Sequence, residues 1–272
     1  MNNEHAGGSR PGDNEASLPG DDSSATEVWD RLWVETQGVE DAMPLFARQF
    51  YERLAFWLRV YGGRPTRVLE PGCGTGRFCR ALADAHPEWD VVGLDLSPES
   101  QKFFEGGGAR PNFRFIMDDM FAMPFDSDSF DVVFNEGVIE HFEHAPSFND
   151  AVSEMVRVLK PGGMMIVAVP NVRNVWHTRY KNRVGKRYEY GYEKSFSEEE
   201  LRCVLETAGL TPFDTDGFDP PYGLERQAGR GRPRAVREAI ALRRLGEPLD
   251  RMLGGCLRRR YGFEIAVAAT KR

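Results

Sequence analysis

Five short apolar runs constrain this chain more than any other feature: "RVLE" (67–70), "DVVGLD" (90–95), "FRFIM" (113–117), "FDVVFN" (130–135) and "MMIVAV" (164–169). Each has the length of a buried strand. Helical stretches at 76–86, 98–105 and 147–159 fall between them. Strands that are apolar on both faces and alternate with helices predict a parallel, doubly wound α/β sheet. "LKPGG" (159–163) reads as a helix end followed by a Pro-Gly turn into the fifth strand. A further strand is expected at 210–218, and a last one at 263–270.

The flanks differ in character. Residues 1–25 are rich in Gly, Ser, Asn, Asp and Glu and offer nothing to bury, which predicts a disordered tail. Residues 26–272 then form a single domain, which 272 residues can fill with a proper core. Within it, 26–62 read as helices with Trp29, Leu32, Phe46, Phe50 and Trp57 at helical spacing, expected to pack as core. Residues 64–218 and 260–272 form the sheet region. "SFSEEELRCVLETAGL" (195–210) opens like a capped helix, with Ser197 as N-cap and Glu200 three residues on. Residues 219–259 are an arginine-rich insertion. A net charge of −7 disfavours a general nucleic-acid or anionic-membrane binder. The four cysteines include no CxxC pair and read as reduced thiols. No apolar run is long enough to span a bilayer and the N-terminus is polar and acidic, so a cytoplasmic protein is expected.

The first strand runs into "EPGCGTGRF" (70–78). A dinucleotide turn reads G-x-G-x-x-G, and its helix N-terminus holds a pyrophosphate. Here Gly72, Gly74 and Gly76 stand at alternate positions, Arg77 occupies the place of the third glycine, and Glu70 would repel phosphate. No Gly-Lys-Ser/Thr follows, so a P-loop is excluded as well. Glu70 favours a cation. Asp95 ends the second strand, where a carboxylate can accept both ribose hydroxyls. A nucleoside with a cationic substituent satisfies both acids, and S-adenosylmethionine is such a ligand.

Four motifs carry a family resemblance: "VLEPGCGTGRF", "VVGLDLSPE", "DDMFAMPFDSDSFDVVFNEGVIEHF" and "LKPGGMMIVAVPN". In order and at strand ends, over roughly residues 65–210, they resemble class I S-adenosylmethionine-dependent methyltransferases. The likeness is greatest to the branch of ubiquinone-biosynthesis and other small-molecule methyltransferases. The resemblance implies a Rossmann-like sheet of seven strands, mostly parallel with the last strand antiparallel. The N-terminal helical region and insertions at 172–196 and 219–259 are expected to cap the pocket. It implies that Glu70, Gly72 and Gly74 hold the methionine part, Asp95 the ribose, and Leu96 the adenine face. Asp119 falls to the adenine amino group, with Asp118 in the place of a usual glycine as the alternative; Met120 packs on the ring, and Asn135 lies near the sulfonium end.

The expected activity is methyl transfer to oxygen or nitrogen of a small molecule by in-line displacement. An acceptor that must lose a proton needs a base. "EGVIEHFEH" (136–144) follows the fourth strand, at the crevice of such a sheet, and His141 is the leading candidate, with Glu140 and His144 behind it. The His and Glu residues of that segment have no third cluster to join, and no metal is expected. "DPPY" (219–222) matches the motif of amino methyltransferases but falls after the sixth strand, so it reads as a Pro-Pro turn. Tyr180, Tyr188, Tyr190 and Tyr192 are candidates to line the acceptor pocket. Two other readings stay open. The arginines of 226–260 would suit an RNA or protein substrate, and a cofactor-binding scaffold without catalysis would keep the same motifs. The oligomeric state has no signature in the sequence.

Overall fold

The computed structural model describes residues 25–36, 43–61, 65–143, 147–185, 188–228 and 233–272. The expected tail at 1–25 lies outside the described residues but for Ala25, and His144 lies outside them too.

Seven strands form one sheet: β1 Arg67–Pro71, β2 Asp90–Asp95, β3 Phe113–Met117, β4 Phe130–Glu136, β5 Leu159–Pro170, β6 Leu210–Phe218 and β7 Glu264–Lys271. Their order is β3-β2-β1-β4-β5-β7-β6. The first five strands are mutually parallel, and β7 pairs antiparallel with both β5 and β6. The helices are α1 Ala25–Thr36, α2 Leu45–Tyr61, α3 Arg77–Ala85, α4 Pro98–Gly106, α5 Phe148–Val158, α6 Val175–Val184, α7 Glu198–Thr207, α8 Tyr222–Ala228, α9 Pro233–Met252 and α10 Cys256–Tyr261. This is the seven-stranded Rossmann-like sheet that the sequence leads one to expect.

The strands are apolar on both faces because both faces are covered. Val68, Val91, Val132 and Ile166 face one core, where Phe46, Phe50, Leu54 and Trp57 of α2 meet Phe78 and Leu82 of α3. Leu69, Val92, Val133 and Val167 face the other, against α5 and α7. Ser197 and Glu200 form the expected capping box of α7.

One boundary differs from expectation. "LKPGG" is part of β5 rather than a turn before it: Leu159 pairs with Phe130, the register shifts, and pairing resumes at Met164 with Val132. Pro161 and Gly162 fall within this irregular stretch, and Gly162 takes φ +74°. A Pro-Gly pair looks like a turn locally, but a strand can carry it as a bulge.

The arginine-rich insertion is tied down by acids. Arg243 bridges Asp219 (2.6 Å) and Glu225, Arg258 bridges Asp216 (2.9 Å) and Asp250 (3.1 Å), and Arg259 meets Glu198 (2.5 Å).

Candidate active site

A cavity of about 940 Å³ opens at the carboxyl ends of the parallel strands, where open α/β sheets bind ligands. It lies near the upper end of the range for small-molecule pockets.

One half is built by the glycine turn. β1 ends at Pro71, and Gly72, Gly74 and Gly76 take φ of +70°, +50° and +68°. The Gly72 and Cys73 N–H groups donate to Leu94 O at 2.7 and 3.0 Å. A Cβ on Gly72 would stand 2.6 Å from Val138 Cγ2. The turn is therefore pressed flat against the segment that follows β4, a cradle only glycine permits. Gly74 N–H donates to Asp95 Oδ2 at 2.7 Å, while Ser97 N–H and Ser100 Oγ donate to Asp95 Oδ1 at 2.9 and 3.0 Å. Oδ2 keeps acceptor capacity beyond its one bond, while Oδ1 already takes two donors. Burial raises the Asp95 pKa in spite of the donors.

Glu70 lines the cavity and is 3% exposed. The Cys79 thiol donates to its Oε2 at 2.9 Å. Burial, with the nearby Glu136 adding to it, pushes Glu70 up to about 8 from an ordinary 4.5. A neutral carboxyl that a cation would ionise thus waits under the turn. Leu96 sits at the rim, half exposed, while Met120 is buried in the wall. Asp118 and Asp119 both line the cavity; Asp118 Oδ1 accepts from Asp119 N–H (2.8 Å), and Asp119 Oδ1 from Phe121 N–H (2.9 Å). Asn135 is not in the lining: it is fully buried one layer down, and its Nδ2 donates to Pro71 O at 2.7 Å. It ties β4 to the end of β1.

The other half is acidic and aromatic. His141 belongs to a short 3-10 turn, and its Nδ1 lies 2.6 Å from Tyr192 O. A carbonyl only accepts, so Nδ1 carries the proton and the lone pair of the neutral ring falls on Nε2, 3.8 Å from Glu140 Oε1. Glu136, Glu140, Glu193 and Glu264 line the same end. Burial raises Glu136, while burial and then the neighbouring Glu136 and Glu140 drive Glu264 well above the carboxylate range. Glu140 rises well above it too, by burial first and Glu193 second. Glu193 goes the other way. Burial would raise it, but His177 Nε2 at 2.7 Å, Lys181 Nζ at 3.0 Å and the Tyr188 hydroxyl at 2.6 Å hold it at about 2.

Sequence reasoning gives several of these wall residues other roles or none. Trp29 is expected in the core; it lines the cavity instead, edge-on to His141 at 5.0 Å, and the α1 residue Asp30 accepts from Ser97 Oγ beside Asp95. Helical spacing reports a buried face without saying whether protein or ligand covers it. Tyr222 of "DPPY" also lines the cavity, although the motif folds as a turn into α8 with Asp219 held by Arg243. Of the four tyrosines, Tyr190 lines it; Tyr188 is buried on Glu193, Tyr180 donates to Glu189, and Tyr192 contributes its carbonyl to His141. Glu264 and Glu193 carry no local motif; only the topology brings them in. Among the described residues no group of three or more His, Cys, Asp and Glu has the geometry to hold a metal ion.

A family model described as a methyltransferase domain matches residues 69–167, which hold the glycine turn, Asp95 and His141. Phthiotriol/phenolphthiotriol dimycocerosates methyltransferase of Mycobacterium leprae is 30% identical over 209 residues, 73% of each chain. The chain belongs to the S-adenosylmethionine-dependent methyltransferases. The methyltransferase is also 32% identical over 166 residues to ubiquinone biosynthesis O-methyltransferase of Sinorhizobium medicae, covering 57% of this chain and 64% of that one. Among solved structures it matches a chain of the Haloferax volcanii complex between the Trm112 methyltransferase activator and a methyltransferase. That match has TM-score 0.64 and 23% identity over 91% of this chain and 97% of the other, a likeness of fold. The cofactor of the enzyme is S-adenosylmethionine. The cavity fits it: a buried carboxyl under the glycine cradle suits a cationic group, and a fixed carboxylate at the end of β2 suits a ribose.

Proposed function

We propose that the methyltransferase moves a methyl group to oxygen or nitrogen of a small-molecule acceptor by in-line displacement, with no nucleic acid involved. The observation that carries this reading is that the Gly72–Gly76 turn, Asp95 and His141 share one cavity. Gly72, Gly74 and Glu70 would hold the methionine part, with Glu70 ionising against its positive charge. Asp95 would accept the ribose hydroxyls. Leu96, Met120 and Asp119 would receive the adenine, Asp119 or its neighbour Asp118 taking the amino group. Asn135 would act from below, by fixing the end of β1. Bound S-adenosylmethionine supplies a methyl group activated by its sulfonium. The protein then has to align the acceptor and exclude water, which alone can be worth about 7–11 kcal/mol. His141 Nε2 would take the acceptor's proton.

Relatives named for phthiotriol and phenolphthiotriol dimycocerosates and for O-methylation in ubiquinone biosynthesis support a small-molecule acceptor. The ion pairs that occupy Arg243, Arg258 and Arg259 support it against a polyanion. Among the described residues no helix is long and apolar enough to cross a membrane, and a cytoplasmic location is part of the proposal.

Calorimetric titration with S-adenosylmethionine and S-adenosylhomocysteine tests the reading. Micromolar binding that Asp95→Ala abolishes is the expected result. Binding of neither ligand, or equal binding by Asp95→Ala, would overturn the assignment of the cavity. A salt titration of turnover then separates acceptors, since contacts to a polyanion weaken steeply with salt and those to a small molecule do not.

A further inference from the structure

The acid-rich end of the cavity has unfinished hydrogen bonding. Glu140 is 2% and Glu264 3% exposed, and among the described residues Oε2 of each has no hydrogen-bond partner. Buried polar atoms are nearly always paired, and an unpaired one is costly. These two belong to the wall of a ligand cavity, so their partner is to be sought in the ligand. Glu136 and Glu264 crowd each other at this end, and Glu136 adds to the burial that raises Glu264. Arg77, Lys181 and His177 are the cations nearby; Lys181 and His177 are bound to Glu193, and Arg77 is shared between Glu70, Glu136 and Glu264. Among the described residues the acids outnumber them at this end.

The walls beside the acids are aromatic. Phe46, Tyr222 and Phe263 pack as a group, with ring centroids 4.6, 4.8 and 5.2 Å apart. Trp29 and Tyr190 pack 5.8 Å apart beside His141. Aromatic faces beside carboxyls are what an organic cation requires: the rings take its apolar body and attract its charge. A hydroxyl has one proton to donate to the unpaired oxygens. A protonated primary amine has three, and its charge favours the ionised carboxylates.

We infer that the acceptor subsite, formed by Glu140 and Glu264 with the aromatic walls, takes a small primary amine with an aromatic or aliphatic body, which the enzyme methylates on nitrogen. The inference rests on the reading of the cavity as cofactor and acceptor site. The amine enters protonated, with Glu140 and Glu264 accepting its N–H groups. It gives one proton to His141 Nε2. The nitrogen lone pair then forms the N–C bond to the methyl carbon as the C–S bond breaks. That electron pair stays on sulfur and leaves S-adenosylhomocysteine and a protonated secondary amine.

The test uses the full chain saturated with S-adenosylhomocysteine, titrated at pH 7 with 2-phenylethylamine and with 2-phenylethanol. The amine is expected to bind at least tenfold more tightly than the alcohol. Glu264→Gln and Glu140→Gln should each reduce that preference several-fold and leave S-adenosylhomocysteine affinity within about twofold. Equal binding of the two probes by the wild type, which needs no variant, overturns the inference. An unchanged amine preference in both variants overturns it too. If S-adenosylhomocysteine itself does not bind, the assignment of the cavity falls, and this inference with it; if it binds and the probes are not distinguished, the amine subsite alone falls.

Discussion

Cofactor affinity should rise with pH below neutrality, and Glu70 should be the cause. Its carboxyl sits at about 8 in the empty cavity because burial disfavours the charge. The ligand's positive charge favours the ionised form, so binding expels a proton from Glu70. At an apo value of about 8, roughly 1% of the carboxyl is ionised at pH 6 and roughly 9% at pH 7. Affinity should therefore rise about ninefold over that unit, with about 0.9 proton released per ligand at pH 7. The ligand's own ammonium has an ordinary value of about 8, so it stays mostly protonated in this range. Titration calorimetry in two buffers of different ionisation enthalpy counts the protons. Glu70→Gln should flatten the pH dependence and release none. Asp95 is present in both proteins, so the difference between them isolates Glu70. The same shift acts on the empty protein. Stability contributed by the protonated Glu70 is complete below 4.5 and lost as pH rises through about 8. The gap corresponds to roughly 5 kcal/mol, which Glu70→Gln should recover at alkaline pH. Tight binding that is flat from pH 6 to 7 in the wild type, or a slope that survives in Glu70→Gln, would refute the reasoning.

Other expectations follow from single contacts. Gly72→Ala places a methyl group 2.6 Å from Val138 Cγ2 at φ +70°, and should cost about 2–3 kcal/mol in chemical denaturation; Val138→Ala in the same chain should return only the steric share. Glu193 is held at about 2 by His177, Lys181 and Tyr188. Its contribution to stability is present above its ordinary 4.5 and lost as pH falls toward 2, so Glu193→Gln should cost about 3 kcal/mol at pH 7 and little at pH 2. Arg258→Ala takes from Asp216 a partner 2.9 Å away and leaves it Arg53 and the Gly217 N–H. Arg258 is 30% exposed, so the loss should be about 2 kcal/mol, below that of a fully buried pair, read as a lowered denaturation midpoint.

The sheet was legible because each strand declares itself locally. β2 and β3 begin and end at the expected residues, since "DVVGLD" and "FRFIM" are bounded by polar and turn residues. The glycine turn and Asp95 were legible for a related reason: the backbone they need is encoded within a few positions. The acid-rich half of the cavity was not. Glu136 and Glu264 stand far apart in sequence and meet only because β4 and β7 flank β5. A lone glutamate ahead of an apolar strand gives no sign of that. Trp29 failed for a different reason, because a wall of a cavity and a wall of a core select the same apolar spacing. Asn135 lies in β4 near its end, as expected, but side chains alternate along a strand, and its own is turned into the layer below rather than the cavity.

The place of β7 has a consequence for synthesis. It follows the other six strands along the chain, yet it lies between β5 and β6. Until residues 264–271 have left the ribosome, β5 has an open edge and β6 has no partner in the sheet. Such edges are templates for wrong pairing. The nascent enzyme must carry an unfinished sheet until β7 arrives, and Glu264 arrives with it. Closure of the fold and completion of the acidic wall are then the same event.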